Sequence, residues 1–380
     1  MQPGRCSVVF SGGGTGGHLF PAIAIADEVR RIRPDVSVTF IGTRGKIEER
    51  VVPERGYPFV AIWISGLRRA FAVENLLFPV KVAVSTVQSC VQLRKLKPDA
   101  VVGTGGYVCG PVVFAATLAG IPTMLQEQNS YPGITTRLLS SRVNEVHLSF
   151  ASSMRYLHRT DNVRVTGNPT RAALTTVQRG DGAAHFGIDP AKRTLLVFGG
   201  SHGATSLNNA TLETLPALHR MDCQVIWQTG GKDYVRVRDA VRRADSGGAP
   251  VVKTFKFIDR MECAYAAADL AVCRAGATTV AELMRTGVPS ILVPYPYATA
   301  DHQTENARAM VDAGASLMIP DSELGARLAG SVIDLLNDTE RLSQMAAHAR
   351  ELCRPNAATE LAHAVLRLAR ADDGSTGKGI

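Results

Sequence analysis

The sequence predicts an α/β protein made of two doubly wound halves. Three observations predict it. Short apolar runs alternate with longer amphipathic stretches along most of the chain, the pattern of a parallel sheet covered by helices on both faces. Two glycine turns, SGGGTGGH at 11–18 and FGGSHGATS at 198–206, each follow an apolar run and open a helix. The length of 380 residues suits two domains at ~150 residues each. Together they imply two Rossmann-like domains facing each other.

Taken in order, Cys6 to Phe10 reads as a strand, Phe20 to Arg31 as a helix and Val36 to Ile41 as a strand. Lys46 to Arg55 reads as a helix and Phe59 to Ile62 as a strand. Val80, Val84, Val87 and Val91 recur at helical spacing and form an apolar stripe on a helix from Val80 to Leu96. Strand, helix and strand follow at Ala100 to Val102, Pro111 to Ala119 and Thr123 to Gln126. Residues 162–176 are turn-rich and 178–184 polar and glycine-rich, so the domain boundary falls near 165–180. Strands at Thr194 to Phe198, Gln224 to Thr229 and Val251 to Phe255 then alternate with helices at Ser206 to Leu218, Tyr234 to Ala244 and Met261 to Ala267. The spans are 1–165 for the first domain and 166–345 for the second. A last helix, about Glu340 to Ala371, packs back on the first domain through 346–371, and 372–380 is a tail.

Lys and Arg number 42 against 34 Asp and Glu, a net charge of +8. That balance suits an anionic lipid or phosphorylated partner as well as nucleic acid. Nucleic acid is disfavoured, because basic and aromatic residues do not interleave and no helix-turn-helix pattern occurs. The seven cysteines form no C-x-x-C and read as reduced thiols of a cytoplasmic protein. The N-terminus runs straight into a strand and lacks the apolar core of a signal peptide.

The stretch from Cys273 to Ala307 carries the clearest chemistry. An apolar strand at Asp269 to Val272 is followed by a Gly/Ala/Thr turn, Arg274 to Thr279, that opens a helix. A helix start presents unpaired N–H groups and the positive end of the helix dipole, and small residues let a phosphate approach. Glu282 lies about one turn further in, within reach of a sugar hydroxyl. Gly287 ends that helix, and Val288 to Val293 forms a strand closed by Pro294. Asp301 or Thr299 can cap the next helix, with His302, Gln303 and Asn306 in its first turns. Two successive strand ends thus offer phosphate donors, a carboxylate and amides to one crevice.

In the first half, Gly12 to Gly17 contains G-x-G-x-x-G. Alone it is a weak dinucleotide signal. The second strand ends at Arg44 without a carboxylate, which leaves an NADP enzyme open. A diphosphate cradle accounts better for so many glycines. His18 at the helix start is a base or donor, or else a cap residue. Gly103 to Tyr107 is a second glycine turn beside the first, and Gln126-Glu127-Gln128-Asn129 ends the next strand. Glu127 is a reacting carboxylate or the cap of a helix starting near Pro132. Arg171 faces a base or phosphate, or only bridges the domains. Arg68, Arg69, Phe71, Val73, Leu76, Leu77 and Phe78, followed by Lys81, Arg94, Lys95 and Lys97, suit an anionic bilayer surface or a loop packed on the sheet. No acidic D-x-D pair ends a strand and no His/Cys ligand spacing occurs, so metal-independent chemistry is expected.

The motifs SGGGTGGH, GTGGY, QEQN, GNPTR, GGSHGA and CRAGATTVAEL…GVPSILVPYPYATADHQTENA resemble the MurG family, the bacterial UDP-GlcNAc:lipid I N-acetylglucosaminyltransferases, in order over residues ~5 to ~365. The resemblance implies a GT-B fold, two Rossmann-like domains facing across a cleft, and inverting transfer of GlcNAc from UDP-GlcNAc to the 4-hydroxyl of MurNAc in undecaprenyl-pyrophosphoryl-MurNAc-pentapeptide (lipid I), which gives lipid II. It implies no cofactor, a peripheral place on the cytoplasmic face of the inner membrane, and work alongside other cell-wall and division enzymes. It places Thr15, Gly16 and Gly17 near the sugar and diphosphate, with His18 as base candidate and Glu127 as second. Gly13, Gly14, Gly105, Gly106 and Tyr107 meet the acceptor. Asn129 and Gln303 contact the sugar, and Arg171 and Ser201 the nucleotide and phosphates. Ile258 touches uracil through its backbone, Ala277, Thr278 and Thr279 meet the phosphates and GlcNAc, and Glu282 the ribose. Two departures stand out: Gln126 occupies a position where the family often has His, and His202 one where Gln is common. The alternatives are a UDP-GlcNAc 2-epimerase of the same fold and a non-catalytic cell-wall scaffold.

Overall fold

The computed structural model describes residues 6–66, 77–200, 203–244, 251–298 and 301–369. The chain divides into two compact units, one of residues 1–169 with 354–380, the other of residues 170–353.

In the first unit, β1 (Ser7–Ser11), β2 (Ser37–Thr43), β3 (Phe59–Ile62), β4 (Ala100–Gly103), β5 (Thr123–Glu127), β6 (Glu145–Leu148) and β7 (Val163–Val165) form one sheet. Its order is β3-β2-β1-β4-β5-β6-β7, and every pair is parallel. The central strands are continuous apolar runs because helices cover both faces. Along β1, Val8 and Phe10 enter one core and Val9 the other. Phe10 stacks on Phe40 of β2 at 5.4 Å. The helix Ala357–Leu368 adds Leu361, Val365 and Leu366 to the core beneath the helix Gly16–Ile32, and Thr359 donates to Glu28 at 2.7 Å.

In the second unit, β8 (Thr194–Phe198), β9 (Gln224–Gln228), β10 (Val252–Phe255), β11 (Leu270–Cys273), β12 (Ser290–Leu292) and β13 (Ser316–Met318) pair in the order β10-β9-β8-β11-β12-β13, again all parallel. Both sheets reverse direction after their first strand, β1 to β4 and β8 to β11. That reversal is the topological switch point where open α/β sheets bind ligands.

Four features differ from the sequence reading. The valine stripe belongs to a helix, Phe78–Leu96, but most of it faces outward: Val80 is 50% exposed, Val87 64% and Val91 41%, while Val84 is partly buried. The buried face carries Ser85, Ser89 and Leu93. Both serines return their hydroxyls to the helix's own carbonyls, to Val82 at 3.0 Å and Ser85 at 2.7 Å, so they bury without an unpaired donor. The polar, glycine-rich run near 180 is a helix, Arg179–Phe186. Its Gly182 lets the helix Met261–Ala267 come close, for a Cβ there would lie 2.5 Å from the Cys263 carbonyl oxygen. The single last helix is two, Thr339–Leu352 and Ala357–Leu368, because Pro355 disfavours helical backbone at Arg354 and lacks an N–H. Finally, β6, β7 and β13 are short strands that the sequence reading passed over; β7 has only three residues.

Candidate functional site

In the first unit, the loops after β1 and β4 interlock at the switch point. The Thr104 N–H donates to Ser11 O at 2.9 Å, and the Thr104 hydroxyl donates to His18 O at 2.8 Å. Gly106 has φ +80, and a Cβ on it would stand 2.3 Å from Gly13 O. Only glycine fits there. Behind the β1 loop sits the buried carboxylate of Glu48. It accepts from the Gly14 N–H at 3.0 Å and the Thr43 N–H at 3.3 Å. The Gly14 N–H therefore points inward, and the loop's outward donors lie further along, at the start of the helix Gly16–Ile32. Thr15 and Gly17 are exposed there, while Gly16 and His18 are partly so. Burial and the Glu48 charge push the Tyr107 phenol above its ordinary range, so it stays protonated at neutral pH.

The strand-end run 126–129 divides its work. Glu127 is buried, and its Oε1 accepts from the Asn129 N–H (3.1 Å) and Nδ2 (3.2 Å). Its Oε2 accepts from the Gly133 N–H (2.9 Å) and the Thr136 hydroxyl (2.6 Å). A carboxylate so occupied staples the turn before the helix Ile134–Leu139, the capping role that stood beside the reactive one. Gln128 accepts from or donates to the ring of His18, with Nδ1 and Oε1 2.9 Å apart.

In the second unit, β11 runs into the helix Ala277–Thr286, whose N-cap is Gly276 and which has no side-chain cap. The Thr278 hydroxyl is buried at this helix start without a hydrogen-bond partner among the described residues. Arg274 fixes the turn. It donates to Val293 O (3.2 Å), Pro294 O (3.0 Å) and the Ser206 hydroxyl (2.9 Å) and pairs with Asp321 at 2.6 Å. Glu282 is 14% exposed, with its Oε1 3.7 Å from Arg171 Nη2; the Tyr265 hydroxyl donates to its Oε2 at 3.0 Å. Burial raises the Glu282 carboxyl above its ordinary value, and Arg171 pulls it back in part. The Gln303 side-chain oxygen accepts from the Tyr295 N–H at 2.9 Å. Asp301 stands at the N-cap of the helix His302–Asp312 with φ 53. Its carboxylate accepts from the Thr304 hydroxyl at 2.7 Å rather than from a backbone N–H. The buried Ile258 N–H donates to Gln228 Oε1 at 2.7 Å, and Gln228 Nε2 donates to Gly200 O at 2.9 Å. Ser201, His202 and Thr299 lie outside the described residues, as do Arg68 to Leu76 and the tail.

Comparison with known proteins places this arrangement. Residues 8–148 match the glycosyltransferase family 28 N-terminal domain and residues 194–363 its C-terminal domain. The chain is 43% identical over 369 residues, 96% of this chain and all of the other (100%), to the UDP-N-acetylglucosamine--N-acetylmuramyl-(pentapeptide) pyrophosphoryl-undecaprenol N-acetylglucosamine transferase of Chlorobium limicola. The chain belongs to the MurG family. The Bacillus pumilus enzyme of the same name is 40% identical over 93% of this chain and 97% of its own. The Acinetobacter baumannii MurG crystal structure superposes with a TM-score of 0.77 at 30% identity, over 95% of this chain and 99% of that one. A UDP-N-acetylglucosamine 2-epimerase structure, at 16% identity and TM-score 0.66 over 100% of both chains, shares the fold. This MurG-family protein is thus a glycosyltransferase with the α/β GT-B fold.

Within each unit, the structure gathers at the switch point most of the residues that the MurG resemblance singles out. Gly13 to His18 adjoin Gly105, Gly106 and Tyr107. Arg171, Glu282 and the helix start at Ala277 share the second unit. Sequence reasoning missed the supports: Glu48, Thr104, Gln128 as a partner of His18, Gln228 and Arg274. A buried acid such as Glu48 within an apolar helix face was the one available signal, since a carboxylate is rarely buried unless it is bonded.

Proposed function

We propose that the protein transfers GlcNAc from UDP-GlcNAc to the 4-hydroxyl of MurNAc in lipid I, with inversion, to give lipid II. The observation that carries this reading is the uncapped helix start after β11, with Glu282 one turn further in. It offers a site for a diphosphate and a hydroxyl acceptor at the spacing of a nucleotide sugar. In the reaction the acceptor oxygen attacks the sugar's anomeric carbon, its proton passes to a base, and the bond to UDP breaks with its electrons leaving on the diphosphate. The helix N–H groups at Ala277, Thr278 and Thr279 offset that charge, aided by Ser201 and Arg171. Glu282 accepts from the ribose, Ile258 touches uracil, and Gln303 and Asn129 hold sugar hydroxyls. His18 is the base, and the loops bearing Gly13, Gly14, Gly105, Gly106 and Tyr107 bind the acceptor. No cofactor is required.

The same reading puts the protein on the cytoplasmic face of the inner membrane, where its lipid substrate is, among other enzymes of wall synthesis and division. No helix among the described residues is long and apolar enough to cross a membrane. The outward valines of Phe78–Leu96, with half-exposed Leu77 and with Lys81, Arg94 and Lys95 on the same helix, supply an apolar face with basic neighbours for an anionic surface.

The deciding experiment measures UDP release from UDP-GlcNAc with and without a lipid I analogue. Release that depends on the acceptor supports the transfer. Epimerised nucleotide sugar without acceptor would replace it with the epimerase reading, and folded protein that binds UDP-GlcNAc but does neither would leave a scaffold.

A further inference from the structure

His18 and Gln128 stand 110 positions apart in sequence, yet His18 Nδ1 lies 2.9 Å from Gln128 Oε1. An imidazole nitrogen donates or accepts according to its tautomer, and an amide end according to its flip. Here the surroundings decide both. Gln128 is buried, and its other amide end meets only acceptors: Thr104 O at 2.9 Å, Gln126 O at 3.0 Å and the Gln126 side-chain oxygen. That end must be the NH2. The opposite flip would set an oxygen against these oxygens, acceptor facing acceptor. Oε1 therefore faces His18, and an oxygen can only accept.

We infer that Gln128 is a positioning residue that holds neutral His18 in the Nδ1–H tautomer, which leaves the lone pair on Nε2 to take the acceptor's proton. Gly105 lies against the ring, since a Cβ there would be 2.8 Å from His18 Nδ1, and the Thr104 hydroxyl donates to the backbone carbonyl of His18 at 2.8 Å, which fixes the main chain that carries the ring. The chain of donors continues beyond Gln128. Gln126 Nε2 donates to the Ser149 hydroxyl at 3.3 Å, which donates to Glu127 O at 2.9 Å. Gln126 is thereby a member of the network that orients the base. A base needs its proton-accepting nitrogen exposed and its other nitrogen anchored, and this arrangement supplies both.

The inference rests on His18 being the base, so the test separates the two. In ring-15N-histidine protein, the His18 signals, identified by their loss in His18→Gln, are expected to show the Nδ1–H form of the neutral ring. This needs no altered Gln128. Gln128→Met, which keeps the volume and removes the acceptor, is expected to mix the tautomers and lower kcat by about tenfold or more, part of the ~10²–10⁴ that a general base supplies, with KM for UDP-GlcNAc unchanged. An Nε2–H ring in the unaltered protein, or Gln128→Met with unchanged kcat and pH profile, would overturn the inference. Full activity in His18→Ala would remove the base assignment and the catalytic meaning of the contact, even with the ring in the stated tautomer.

Discussion

Arg171 Nη2 lies 3.7 Å from Glu282 Oε1, while the Tyr265 hydroxyl donates to the other carboxylate oxygen at 3.0 Å. Burial nevertheless wins at Glu282, whose carboxyl titrates above its ordinary 4.5. The group is thus held at some cost to the fold, as is common where a site needs a charge ready for a ligand.

Glu282→Gln should therefore separate stability from binding. A carboxyl with a raised folded pKa binds more protons folded than unfolded. Stability falls as pH rises from about the unfolded value through the folded one. The Gln variant should be more stable than the parent above that window and lack that fall, which thermal melts across pH would record. Its KM for UDP-GlcNAc should rise about 10- to 100-fold, the worth of one hydrogen bond to a charged acceptor. An unchanged KM would leave Glu282 a packing role only.

Glu127 makes the opposite case. Both its oxygens are filled by donors from Asn129, Gly133 and Thr136, so its charge is needed where it is. Glu127→Gln turns one acceptor into a donor facing donors. It should destabilise the first unit by about 2–4 kcal/mol, the cost of one or two lost charge-assisted bonds. The pH profile of kcat should keep its shape in protein that stays folded. A lost limb in that profile would instead make Glu127 the base.

The sheets were legible because buried parallel strands leave continuous apolar runs, as in Val8-Val9-Phe10 and Leu195-Leu196-Val197. The glycine turns that open the helices at Gly16 and Ala277 were legible because clustered small residues after an apolar run mark a break in structure, though the first helix begins four residues ahead of the expected Phe20. The supports were not. Glu48 reaches Gly14 across 34 positions and Gln128 reaches His18 across 110, and nothing local marks either pairing. Periodicity also reports a face without saying which way it looks: the stripe Val80, Val84, Val87, Val91 has the spacing of a core, yet Val80, Val87 and Val91 are exposed and the helix buries Ser85, Ser89 and Leu93 instead.

That outward stripe gives the last prediction. Val80 and Val87 are at least half exposed, on a helix that also carries Lys81, Arg94 and Lys95. Burying the exposed half of a valine in a bilayer's apolar edge is worth about 0.8 kcal/mol, and each nearby cation about 1 kcal/mol at an anionic surface. Replacing Val80 and Val87 by Ser should weaken binding to anionic vesicles by roughly tenfold, since two such losses make about 1.6 kcal/mol. Binding of the parent should itself fall as salt shortens the range of the charge term. Neither residue supports the core, so melting temperature and turnover of a water-soluble acceptor should hold. Vesicle binding and soluble turnover lost together would show that the stripe packs against something in the protein; vesicle binding unchanged would place the membrane contact elsewhere.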